Sequence, residues 1–156
     1  MPTVSSVARL NLEIEKKLRA AMESKVADIV SDVMSERIQT DVLQKYRPKY
    51  YERRSFGGID DPNMIKTQVR KSRDGRVVLT VKNVAKLEGP RVPGYYANDS
   101  FGTPLVSLLD SNNIANPWSR RRARWQNPRH FMSNTRYYVI KRKGDIIKAL
   151  AKELNK

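Results

Sequence analysis

The chain has 156 residues, no cysteine, and a net charge of +15 from 31 Lys and Arg against 16 Asp and Glu. That length suits one domain with its own core, and without cysteine there is no disulfide framework, thiolate nucleophile or cysteine metal site. No stretch is apolar enough to cross a membrane and no basic-then-apolar leader opens the chain, so no membrane contact is expected, and the absence of cysteine fits assembly in a reducing compartment such as the cytoplasm.

The first element is a long amphipathic helix over residues 4–46. Leu10, Ile14, Leu18, Met22, Val26, Val30, Met34, Ile38 and Val42 recur every fourth residue, Val7, Ala21, Ile29 and Val33 widen the row, and neither Pro nor Gly interrupts it. Some forty residues at 1.5 Å each run about 60 Å, and a strict spacing of four drifts about 40° per step around a helix of 3.6 residues per turn. The face near Leu10 and Ile14 therefore points away from the face near Val30 and Val33. Either the helix breaks, with Ser24, Ser31 or Ser35 as the weak points, or its ends bury against different surfaces, one of them a neighbouring subunit. Met22, Val26, Val30 and Val33 are the candidate interface residues on this helix.

Residues 47–91 form the expected sheet region. Pro48 ends the helix, because the residue before a proline avoids helical geometry. Tyr46-Arg47-Pro48-Lys49-Tyr50-Tyr51-Glu52-Arg53-Arg54 then alternates rings and charges, with Tyr51, Arg53 and Arg54 as further interface candidates. Phe56-Gly57-Gly58-Ile59-Asp60-Asp61-Pro62-Asn63 is dense in turn residues. Asp60 and Asp61 beside Pro62 read as turn and capping groups, since no further ligands stand at metal spacing. Residues 64–70 and 76–85 form a hairpin joined through Arg73-Asp74-Gly75, where Gly75 takes a positive φ.

Residues 92–126 are an irregular loop broken by Pro93-Gly94, Gly102, Pro104, Asn112-Asn113 and Asn116-Pro117. Thr103-Pro104 before Leu105, Val106, Leu108 and Leu109 suits the start of a short helix. A loop of this length is expected to serve an interface or to project as an arm. It ends in Trp118-Ser119-Arg120-Arg121-Arg122-Ala123-Arg124-Trp125, with Arg129 close behind, and nine Lys and Arg with no acidic residue fall between Ser111 and Gly144. Guanidinium forks pair with phosphate and indole rings stack on bases, so Trp118, Arg120, Arg121, Arg122, Arg124, Trp125 and Arg129 are the candidate contacts to nucleic acid or to an acidic partner. A C-terminal helix over residues 127–156 completes the domain, with Gly144 as its expected kink.

Charge divides along the chain. Residues 1–44 sum to −1 and residues 45–156 to +16, which points the second part toward a polyanion. Catalysis finds little support. His130 is the only histidine and lacks a partnered nucleophile, and phosphate-loop, dinucleotide and zinc-finger patterns are missing. Neither a cofactor nor a metal is expected.

Two blocks resemble a known family. Tyr46-x-Pro48-x-x-Tyr51-x-Arg53-Arg54 followed by Gly58-Ile59, Asp61 and Asn63-Met64, and later Pro128-Arg129-x-Phe131-Met132-x-Asn134-Thr135, resemble segments of the head–tail joining and tail-completion proteins of tailed bacteriophages. The likeness covers about half the chain. It implies an α+β fold in the order helix, hairpin, further sheet and helix, and a non-enzymatic virion protein. Such a protein forms a ring, commonly a hexamer, around the DNA channel at the neck or top of the tail. Its partners would be further copies of itself, other neck, connector and tail proteins, and the genomic DNA. The long insertion of residues 92–126 departs from the shorter connection that the family implies. The alternative reading is a small basic cytoplasmic protein that binds DNA or RNA through residues 118–129.

Overall fold

The computed structural model of the chain describes residues 4–45, 56–86, 106 and 130–155. Helix α1 (Val4–Ala21), a π turn (Met22–Val26), helix α2 (Ala27–Arg37) and a second π turn (Ile38–Leu43) follow one another without a break. A short 3-10 turn (Pro62–Met64) leads into strands β1 (Ile65–Lys71) and β2 (Val77–Asn83), and helices α3 (Phe131–Lys141) and α4 (Lys143–Leu154) close the chain. The fold is α+β. Of the irregular 92–126 stretch, Val106 alone is described, and it is helical; the Arg-rich arm lies outside the described residues.

The two π turns answer the mismatch in the helix. On an α-helix a four-residue step overshoots a full turn, whereas on the wider π turn it falls short, so a π segment rotates the apolar row back. The Ala27 amide donates to the Met22 carbonyl, and Gln44 to Gln39 at 2.9 Å, each five residues back. Ala21 and Val26 would stand about 140° apart on an α-helix, yet both are buried here. In each segment the third residue is a hydroxyl that bonds back one turn. Ser24 Oγ donates to the Ala20 carbonyl at 2.8 Å, and Thr40 Oγ1 to that of Glu36 at 3.0 Å, satisfying carbonyls where the regular ladder shifts. Of the three suspected serines only Ser24 marks such a point; Ser31 and Ser35 lie within α2.

The hairpin turns as its residues dictate. Gly75 has φ +82°, its amide donates to the Ser72 carbonyl at 3.0 Å, and Ser72 donates to Arg76 at 2.7 Å. This is a three-residue loop whose last position requires the left-handed region. Among the described residues the sheet has these two strands.

The C-terminal helix breaks at Arg142 and not at Gly144. Arg142 leaves helical geometry (φ −86°, ψ 15°), while its carbonyl accepts from Asp145 at 3.0 Å and Ile146 at 3.1 Å. Arg142 therefore caps α4 with its backbone. Gly144 falls in the first turn, where its low helix propensity costs less than in mid-helix and Asp145 complements the helix dipole.

Contacts divide the chain into two compact units. One comprises Met1–Val33, Thr67–Lys82 and Tyr137–Lys156, and the other Met34–Lys66 and Asn83–Arg136. In the first, α1 packs on α4, the buried side chains are the small Ala21, Val26, Ala27 and Val33, and Lys71 of β1 bonds Glu15 of α1. That hydrogen bond, with Arg19 at 3.0 Å, holds the Glu15 carboxyl below its ordinary range. The second unit buries the larger Met34, Ile38, Val42, Ile59 and Phe131, together with all four buried polar side chains among the described residues, Asp41, Asp61, Asn83 and Thr135.

Candidate functional site

The polar groups of the second unit hold two short segments in fixed shapes. Asp61 Oδ2 accepts from the Gly57 amide at 2.8 Å, and Oδ1 accepts from the Asn63 amide at 2.8 Å as the cap of the 3-10 turn. The Gly57 bond, then the Asn63 bond, lowers the Asp61 carboxyl below its ordinary value. Asp61 is thus a loop-building group, as its turn-rich surroundings indicate. Asn83 ties the same loop to the sheet, donating from Nδ2 to the Ile59 carbonyl at 2.7 Å and accepting at Oδ1 from the Ala85 amide at 3.0 Å.

An Asp61→Asn variant has one acceptor oxygen where two amides need one each, so it should be less stable than the parent at neutral pH. A carboxyl depressed in the folded state below its unfolded value of about 3.9 stabilises fully above that pH, and the gain disappears as pH falls through the lower folded value. The gap between parent and variant should therefore narrow in thermal melts run from pH 7 toward pH 3. A gap that stays constant would count against this role.

The second block works likewise. His130 sits at positive φ (45°), exposed, and its carbonyl accepts from the Asn134 amide at 2.9 Å to start α3. Phe131 is fully buried, Thr135 donates to its carbonyl at 2.7 Å, and Asn134 Nδ2 donates to Asp41 Oδ2 at 2.9 Å. Both described parts of the recognised blocks are therefore internal framework of one unit.

The exposed chemistry of the first unit is different. Val7, Leu10 and Ile14 are 44%, 55% and 46% exposed at the i, i+3, i+7 spacing of one helix face. Ile147 and Leu154 of α4 are also exposed, with half-buried Leu150 between them in the same pattern. Leu10, Glu13, Ile14, Lys17 and Leu154 line an open groove of about 310 Å³, where Lys17 Nζ donates to the Leu154 carbonyl at 3.4 Å. This volume is at the bottom of the range for small-molecule sites, roughly 300–1,000 Å³. Its aliphatic floor suits a side chain better than a cofactor. Farther along, Tyr137 and Tyr138 meet edge to face with centroids 5.4 Å apart, and Lys141 Nζ lies 4.6 Å from the Tyr137 centroid.

Of the helix residues expected at an interface, Val26 and Val33 are buried by this chain itself, and Met22 and Val30 are half-buried. Tyr51, Arg53, Arg54, Trp118, Arg120, Arg121, Arg122, Arg124, Trp125 and Arg129 lie outside the described residues. The sequence reading passed over Phe56, which is 79% exposed on the Asp61 loop. Its signal was a lone ring among turn residues.

Among the described residues no three His, Cys, Asp or Glu side chains gather to hold a metal, and no helix is long and apolar enough to cross a membrane. No curated protein and no solved structure matches the chain. Residues 6–156 match the family described as YomN. With nearly its whole length inside that match, the chain belongs to the YomN family and is a phage-related protein.

Proposed function

We propose that this chain is a non-enzymatic structural subunit of a tailed-phage particle, a neck or tail-completion protein that closes into a ring around the DNA channel. The observation that carries the reading is the apolar face of the first unit, where Val7, Leu10 and Ile14 of α1 and Ile147 and Leu154 of α4 stay exposed. Single exposed aliphatics are ordinary, but rows on two packed helices form a patch of the kind that marks a protein interface. A ring joins unlike surfaces of successive copies. The balance of −1 over residues 1–44 and +16 beyond supports such a pairing, and it also supports an inner face directed at DNA. Membership of a phage-related family agrees with this assignment.

Quantitative mass spectrometry of density-purified particles, washed at high salt, tests the reading. A low and fixed copy number relative to the major capsid protein is expected. Abundance in lysate with none in particles would overturn it, and the basic 118–129 arm would then become the functional element as a nucleic-acid contact.

A further inference from the structure

The groove between α1 and α4 and the exposed ring of Phe56 form a complementary pair, and we infer that Phe56 of one copy seats in the groove of the next. This deepens the ring reading and rests on it.

Phe56 has 79% of its surface in water, the largest exposed fraction among the exposed large apolar residues described. The chain that follows it is braced. Gly57 takes the left-handed region at φ +70°, its amide is fixed on Asp61, and Asn83 holds the Ile59 carbonyl. An aromatic ring on a braced loop enters a partner's site at small entropic cost, because little is left to order on binding.

The groove offers what the ring lacks. Leu10, Ile14 and Leu154 provide an aliphatic floor within about 310 Å³, and each of the three is partly exposed. The groove's two charges, Glu13 and Lys17, cancel in sum, and Lys17 Nζ donates to the Leu154 carbonyl, so an uncharged ring meets no net charge there. An aromatic knob and an aliphatic groove are unlike elements, and pairing them between copies makes a head-to-tail contact, the type that generates rings when the rotation closes.

The test replaces Phe56 with the photoreactive analogue p-benzoylphenylalanine. Equal amounts of this protein and of isotopically heavy wild type are mixed at high concentration, and also recovered together from assembled particles. Light is expected to join position 56 to residues 10–17 or to Leu154 of a heavy chain. Adducts elsewhere, adducts within one copy only, or no adducts overturn the inference.

A second measurement is native mass spectrometry of Phe56→Ala, whose folding is checked by its melting curve. Association should weaken by about tenfold or more, as for a buried aromatic anchor. Undiminished association would also overturn the inference. If the chain is present in particles at fixed copy number while the adducts fall elsewhere, the groove assignment fails and the ring reading stands. If the chain is monomeric and missing from particles, both fail.

Discussion

Replacing Phe131 with Ala is expected to remove about 3–5 kcal/mol of folding stability, the usual loss for a fully buried Phe. Natural domains have roughly 5–15 kcal/mol in total, so the variant should lie close to unfolding at ambient temperature. The ring has no exposed surface and is the largest of the fully buried side chains described. It stands at the first position of α3, where the Phe131 carbonyl holds the Thr135 hydroxyl and the Asn134 side chain reaches Asp41. Moving the start of the helix into the cavity would strain the bond from Asn134 to Asp41. Urea unfolding should show a much lower midpoint with an unchanged slope. Phe131→Leu should fall between parent and Ala. A loss below about 1 kcal/mol for the Ala variant would show that the site relaxes, and Phe131 would then not be the anchor of its unit.

Local geometry made much of this fold legible. The hairpin could be read because Gly75 in Arg73-Asp74-Gly75 suits a left-handed turn position between two β-branched runs. The long helix could be read from spacing alone, and its spacing of four also announced that a straight α-helix would not serve. How the conflict is resolved was not legible. A π turn is a register choice made by tertiary burial, and Ser24 and Thr40 differ in sequence from Ser31 and Ser35 in nothing that marks them. The kink at Arg142 was misplaced onto Gly144 because propensity reports the cost of a residue in mid-helix and not where a helix restarts. The pairing of Asp41 with Asn134 spans 93 positions, beyond any local pattern. For the surface, drift of the apolar row already separated Leu10 and Ile14 from Val33. Spacing alone does not say which face a chain buries itself, and the structure buries Val26 and Val33 while exposing Leu10 and Ile14.

The second large effect falls on Asn83. Replacement by Leu leaves the Ile59 carbonyl and the Ala85 amide, both bonded in the interior, without their side-chain partner. Each orphaned group costs about 1–3 kcal/mol, so a loss of about 2–4 kcal/mol is expected after allowing for the added apolar contact. Asn83→Asp separates the two bonds. A carboxylate can still accept from the Ala85 amide, but it turns an oxygen toward the Ile59 carbonyl in place of the donating Nδ2. Repulsion and burial then favour the protonated acid, raising its folded pKa above the unfolded value of about 3.9. Stability relative to the parent should be best below the unfolded value, where the acid can donate to Ile59, and should decline as pH rises through the folded value. Equilibrium unfolding of parent and both variants between pH 3.5 and pH 8 (a window set by the carboxyl range) measures this. The Leu variant should show no such pH-dependent recovery. Because Asn83 braces the loop that presents Phe56, the Asp variant should also associate more weakly at neutral pH than at acid pH, beyond any change in the parent. If it loses stability and keeps full association at neutral pH, the bracing of the loop does not matter to assembly.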